Sequence, residues 1–362
     1  DVYPTSVPVS LELTKIGAAA DLLQSGAVIK PSFCGPCSGA GDVPAHNGLS
    51  LRHTTRNFPN REGSKPGEGQ FAAVCLMDAR SIAATARNGG KITPATETDY
   101  EPVRHSYRFD TGVYERRVYN GFGKPRPEEE LILGPNITDW PNVQPLAENL
   151  LIELAAVLRD PVTTTAEPLP SGETSSYRSN PLRLAEFTLS RREPAYVGRA
   201  KAAAEIESRR LAGGIPEKLL ALLKRAGGKA EETQFGSCIF ASRPGDGSAR
   251  EQAASCQKVL GGLANICYGF ATKRYRSNCI NWGILPFTLD EGTPFPYEAG
   301  DCVFVPDIRN AVQTSREDIS AKVLKADGGE ADITLHIRGL TAEEREIILD
   351  GCLMNYYAKR AE

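Results

Sequence analysis

The chain has 362 residues, 41% of them hydrophobic and 24% charged, enough for two or three globular domains with apolar cores. Its formal net charge of −3 carries no basic surplus, so neither nucleic acid nor an anionic membrane surface is an expected partner. No apolar run approaches the roughly 18 residues that cross a bilayer, and Asp1-Val2-Tyr3-Pro4 opens no signal peptide, so the chain reads as one entered partway or processed.

In chain order, residues 10–29 show helical periodicity and then a short apolar run, predicting a helix followed by a buried strand. Residues 32–70 are rich in glycine and proline without periodicity, which predicts a long functional loop. Residues 70–88 predict a small-residue helix ended by Gly89-Gly90. Residues 91–147, rich in proline, threonine, tyrosine and charge, predict a linker. A second compact region begins near Leu150. It contains helices over 195–213 and 216–228, then strands at 237–241, 302–308 and 332–337 alternating with helices over 250–265 and 341–360. That alternation favours an α/β domain.

Nine cysteines, an odd number scattered mostly singly, fit a reducing compartment: the cytoplasm, with the mitochondrial matrix as the alternative. Only Cys34-Gly35-Pro36-Cys37 is closely spaced. Two thiolates at that spacing can face one iron–sulfur or zinc centre. A zinc ribbon needs a second such pair and a redox pair needs a βαβ context, while two buried thiols in a turn is the plain alternative.

Two further segments carry charge where a small anion could use it. Arg52 to Glu62 places Arg52, Arg56 and Arg61 in a glycine-rich loop, and guanidinium groups bind carboxylates through paired N–H donors. Surface arginines account for it equally well. Gly245-Asp246-Gly247-Ser248-Ala249-Arg250-Glu251 sets a serine and an arginine at a predicted helix start, which suits an anion or simply a cap.

Taken together, Cys34-Gly35-Pro36-Cys37, then Arg56-Asn57-Phe58-Pro59-Asn60-Arg61-Glu62, then Gly247-Ser248-Ala249-Arg250-Glu251, resemble the motif order of the aconitase superfamily. Residues 163–181 are similar to the loop that opens its swivelling domain, and 270–289 to the segment after its Gly-Ser-Ser-Arg-Glu helix. The match spans most of the chain, its C-terminal half of the family pattern. The resemblance implies a partial three-layer α/β/α domain at 1–100, a linker at 101–147, and a swivel domain with a mixed β core and flanking helices at 148–362. It implies Cys34 and Cys37 as ligands of a 4Fe-4S cluster; Arg56, Arg61, Arg178 and Arg250 as substrate-binding groups; and Ser248 as catalytic base. The implied reaction is reversible dehydration of a hydroxy di- or tricarboxylic acid, a small polycarboxylate substrate.

The sequence departs from the family pattern in three places. The third cluster cysteine belongs to a segment before the start of this chain, so a separate N-terminal half or second subunit is an expected partner. Ala166 stands where the family has an aspartate, and Ala249 replaces the second serine of the base motif. Two alternatives follow: a relative repurposed for iron–sulfur-independent chemistry on an anionic substrate, or a non-catalytic binding or regulatory protein.

Overall fold

The computed structural model describes residues 1–33, 42, 44–53, 69, 71–100, 105–164, 174–247 and 249–361. The chain divides into two compact units, Asp1–Glu130 and Leu131–Glu362.

In the first unit, α1 (Val7–Lys15) starts at Ser6, whose hydroxyl accepts the Val9 N–H at 3.4 Å, and α2 (Ala18–Gln24) follows Gly17 at φ +81°. The single helix expected over the start of 10–29 is therefore two, because Gly17 takes the left-handed conformation that breaks the first. The buried strand expected next is only a bridge from Ile29 to Val2, with Val28 51% exposed. One short partner is too little to bury that apolar run. Strands β1 (Gly48–Arg52) and β2 (Ala72–Leu76) pair in parallel, Gly48 opposite Ala72 and Arg52 opposite Leu76. Residues 70–88 are thus a strand before they are a helix. Asp78 then caps α3 (Ala79–Arg87), accepting the Arg80 and Ser81 N–H groups at 3.0 and 3.1 Å. The helix ends at Gly89-Gly90 as its sequence predicts, the Gly90 N–H returning to Thr85 O at 2.9 Å. Farther on, among the described residues, only a 3-10 turn and α4 (Gly112–Glu115) are regular.

The second unit is a seven-stranded closed barrel with helices outside it. Its elements are β3 (Asn149–Leu158), β4 (Thr163–Thr164), α5 (Pro181–Ala185), α6 (Tyr196–Leu211), α7 (Glu217–Ala226), β5 (Thr233–Ala241), β6 (Pro244–Asp246), α8 (Arg250–Val259), β7 (Gly262–Cys267), α9 (Lys273–Asn281), β8 (Leu285–Thr288), β9 (Cys302–Val305), α10 (Ile308–Gln313), β10 (Asp318–Leu324), β11 (Glu330–His336), α11 (Ala342–Asp350) and α12 (Leu353–Ala361). Around the barrel the order is β10-β11-β8-β7-β5-β3-β9, closed by β9 on β10. β3, β5, β7 and β8 run parallel, and the remaining junctions are antiparallel.

The parallel strands explain their own sequences. β3 reads Asn-Leu-Leu-Ile-Glu-Leu-Ala-Ala-Val-Leu because both its faces are covered, so it runs apolar instead of alternating. Leu150, Ile152 and Leu154 point into the barrel core with Val303, Phe287 and Leu335, while Leu151 packs under α6 and α7 with Phe235 and Leu223. Each fully buried leucine contributes about 1.5–3 kcal/mol of transfer free energy.

Two predicted helices are shorter than expected, each for a glycine reason. The stretch 250–265 holds a helix only to Val259; Gly261 turns at φ +83° and β7 begins at Gly262. The stretch 341–360 splits at Gly351, φ +93°, into α11 and α12.

Candidate functional site

In the first unit the two chemically loaded loops are tied together at their roots. Cys34, Cys37, Arg56 and Arg61 lie outside the described residues, but the chain on either side of them is described. Lys30 forms ion pairs with Asp1, at 2.9 Å, and with Asp42, so one clip joins the two ends of the cysteine loop. The Tyr3 hydroxyl also donates to Asp42. Partial burial raises the Asp42 carboxyl, but hydrogen bonds from Lys30 and Tyr3 outweigh it and hold the group below its ordinary value. Asp42 itself sits at φ +52°, where aspartate is among the few residues tolerated.

Arg52, at the end of β1, is 8% exposed. It donates to Ser50 Oγ at 2.7 Å and to the Asp42 carbonyl at 3.4 Å. The arginine loop therefore departs beside the point where the cysteine loop returns. His53 begins that departure, its Nδ1 3.2 Å from Met77 O. Lys30 and Asp42 do not stand out in the sequence, and Arg52, expected with Arg56 and Arg61 in an anion-binding loop, is instead a buried residue at the end of β1. A Lys-to-Asp pair twelve apart across a glycine-rich stretch was the available signal, and it is a weak one.

In the second unit Ser248 lies outside the described residues, whereas Arg178 and Arg250 are described. Two short strands bring their loops to one edge. β4 and β6 pair in parallel, Thr163 opposite Pro244 and Thr164 opposite Asp246, and the Thr163 N–H donates to Arg243 O at 3.0 Å. The loop leading to Arg178 leaves from Thr164. The loop carrying Ser248 leaves from Asp246, two residues earlier. Because the strands are parallel, both loops depart from the same end. Those short strands continue from the C-terminal ends of the neighbouring parallel strands β3 and β5. In parallel α/β sheets that end is where loops converge on ligands.

Each root is pinned. Arg159, after β3, donates to Phe295 O and Tyr297 O at 2.8 and 2.9 Å and pairs with Glu298 at 2.8 Å. Arg192 pairs with Asp160. Gly245 takes φ +98° and its carbonyl accepts the Thr272 hydroxyl at 2.8 Å.

Arg178 follows a 3-10 turn at Ser175–Tyr177 and is exposed. The turn is laced to an upstream segment by the Thr138 N–H donating to Ser179 O at 3.0 Å and by Asn136 donating to Ser176 O. Asn180 then caps α5, accepting the Arg183 N–H at 3.0 Å. Arg250 opens α8 and is partly buried, its Nε shielded from solvent. Arg250 is the first residue of α8, so the segment holding Ser248 runs into a helix N-terminus, the end of a helix that favours anions. The structure thus groups the roots of the Arg178 and Ser248 loops, and separately the roots of the two loops of the first unit.

Metal ligands are scarce elsewhere. Among the described residues no three His, Cys, Asp or Glu side chains converge to hold a metal ion. Cys256, Cys279 and Cys302 are buried, and burial pushes each thiol up to about 12. Burial raises Cys238 and Cys267 as well. Neutral, enclosed thiols are poor ligands, since metals bind the thiolate. No helix among the described residues is long and apolar enough to cross a membrane.

Comparison with known proteins gives similarities to one family model and to several individual proteins. Residues 1–84 match the family model described as the aconitase family (aconitate hydratase). A mitochondrial protein of Emericella nidulans assigned to aconitate hydratase is 23% identical over 99% of this chain and 46% of its own length; the chain thus spans about half of that relative. The 3-isopropylmalate dehydratase small subunit of Metallosphaera sedula is 35% identical over 32% of this chain and 60% of its own length. The large subunit of the same enzyme type from Nitratidesulfovibrio vulgaris is 29% identical over 25% of this chain and 22% of its own length.

Proposed function

We propose, from its similarity to the aconitase family over residues 1–84 and to aconitate hydratases along the chain, that the chain supplies the base and the carboxylate-binding arginines of a hydro-lyase. Its substrate is a hydroxy di- or tricarboxylic acid, and its reaction the reversible loss of water across a carbon–carbon bond. The observation that carries the reading is the parallel pairing of β4 with β6, from which the Arg178 and Ser248 loops leave side by side.

Ser248 removes a proton from the carbon next to a substrate carboxylate. Such a proton is weakly acidic, because the electrons left behind must spread into the carboxylate and give it a second negative charge. Arg178 and Arg250 of the second unit are the proposed groups that hold a substrate carboxylate and stabilise that charge as it develops, and Arg56 and Arg61 of the first unit are the other proposed carboxylate-binding groups. A serine hydroxyl accepts a proton only where cationic and N–H donors stabilise its alkoxide, the role proposed for Arg250 and the start of α8. The hydroxyl departs with a proton as water.

The family implies a 4Fe-4S cluster, for which Cys34 and Cys37 are the proposed ligands. These two thiols alone do not complete the ligand set such a cluster takes, and the buried cysteines of the second unit do not suit it. No step here passes through a cluster. The remaining half of the site is proposed to come from sequence corresponding to the rest of the Emericella relative, on the same polypeptide or on a partner subunit. The mitochondrial names of the relatives favour the matrix as the compartment.

The test is the ultraviolet absorbance of an unsaturated product when the protein, isolated with whatever copurifies, receives a panel of 2-hydroxy and 3-hydroxy polycarboxylates. Turnover of one of them that disappears in Ser248→Ala supports the reading. Full turnover in that variant sinks the base assignment, and no turnover with any of them sinks the hydro-lyase.

A further inference from the structure

At the C-terminal end of α8 the second unit holds a cavity of about 240 Å³ that none of the loops above uses. Its walls include Trp140 and Trp282, ring centres 4.6 Å apart and tilted by 46°, together with Leu211, Phe235, Lys258 and Glu207. The charges on this wall do not balance one another. Glu207 is bound on both carboxylate oxygens by Arg210, at 2.7 Å each, and accepts the Phe235 N–H at 3.0 Å. Lys258 makes one hydrogen bond, to Gly283 O at 3.4 Å, and no ion pair among the described residues.

A lysine in the last turn of a helix has an ordinary explanation: its charge complements the carbonyl end of the helix dipole. Such a lysine normally extends into water, where its hydration is kept. Lys258 instead lies along a wall with two indoles. Lys258 is half-buried, and a partly desolvated ammonium with one long hydrogen bond is short of an anion. Burial accordingly lowers its pKa to about 8.

We propose that this cavity binds a small carboxylate with an apolar or aromatic body, the carboxylate on Lys258 and the body against Trp140 and Trp282. A volume just under the roughly 300 Å³ at which ligand pockets begin suits a single ring bearing one acid group. Charge complementarity fixes the acid, since no carboxylate among the described residues pairs with Lys258. The paired indoles fix the body, because aromatic ring faces favour planar or apolar partners over hydrated ones. The site is distinct from the Ser248 loop. Lys258 lies eight residues along α8 from Arg250, about 12 Å at 1.5 Å per residue. Trp282 is held in place by its Nε1–H, which donates to Glu251 in the first turn of α8 at 3.0 Å.

The experiment is unusually direct, because Trp140 and Trp282 are the chain's two tryptophans and both line the cavity. Intrinsic fluorescence therefore reads this site. Phenylacetate is titrated against the wild-type chain, the uncharged phenylacetamide serves as control, and Lys258→Met and Ser248→Ala are compared. A saturable change with phenylacetate is expected, with affinity at least tenfold weaker for phenylacetamide and for Lys258→Met, and unchanged in Ser248→Ala. No saturable change, or equal binding of the acid and the amide by the wild type, overturns the proposal. Loss of binding in Ser248→Ala overturns its separateness from the Ser248 loop.

Discussion

Gly245 lies directly against the side chain of Tyr275, so closely that any β-carbon at Gly245 would overlap the tyrosine's own Cβ and ring. Tyr275 in turn is fully enclosed, its hydroxyl accepting amide N–H groups from Gln257 at 2.6 Å and Asn265 at 3.3 Å. The Ser248 loop is thereby set on a rigid side chain that belongs to α9.

Gly245→Ala is expected to cost about 2–4 kcal/mol, combining a left-handed backbone with a steric overlap that cannot relax outward. Urea denaturation measures it. Activity should fall more than stability accounts for at temperatures where the variant is still folded, because the residue displaced is three before Ser248. A variant as stable as wild type would show that the loop is not seated on Tyr275.

Ser248→Ala should lower turnover roughly 100-fold or more while leaving the substrate's apparent affinity within a few-fold, as loss of a positioned base does. Arg178→Lys should do the reverse. It keeps the charge but loses the paired donors, so KM rises with a smaller change in kcat. Steady-state kinetics on one substrate separates the two. Equal effects on both parameters would assign the residues differently.

Asp42→Asn should loosen the cysteine loop without unfolding the rest of the chain. The carboxyl is held below its ordinary 3.8, so the stability it contributes is complete above that pH and is lost as pH falls through the lower folded value. Limited proteolysis at neutral pH is expected to cut Asp42→Asn faster between residues 31 and 41. The wild type should approach the variant's rate only in acid below 3.8, as followed with an acid-active protease. Identical cleavage of both at neutral pH would remove the clip.

Lys258→Met is expected to stabilise the second unit by about 1–3 kcal/mol at neutral pH, using 1.4 kcal/mol per pKa unit as the upper scale. The folded value, about 8, is below the unfolded 10.5, so between them the unfolded chain binds more protons and wild-type stability rises with pH. The gap between variant and wild type should accordingly close as pH goes from 8 to 10.5. Denaturant melts at both ends of that window measure it, and a constant gap would mean that the ammonium is not desolvated in the fold.

What was legible in the sequence depended on how far apart the interacting residues lie. α6 and α7 were readable because their apolar residues repeat at helical spacing and Gly227 ends the second. β2 was absorbed into the helix after it, since Ala72-Ala73-Val74-Cys75-Leu76 suits either state and only pairing with β1 decides. β7 was lost the same way, because its partners β5 and β8 are remote in sequence. At the site, motif residues stand out individually. The pairing of β4 with β6 does not, as strands of two and three residues have no period to detect. Nor did Lys258 stand out, since one lysine in an amphipathic helix looks like any solvated charge until the indoles beside it are seen.

The seven-stranded ring has a consequence for assembly. Each of its strands has a hydrogen-bonded neighbour on both sides, β8 and β11 meeting at the single pair Thr288 and His336, so the ring leaves no strand wholly without a partner along one side. A closed ring of this kind gives a partner no long free strand to pair with, so association with other sequence falls to side-chain surfaces and loops.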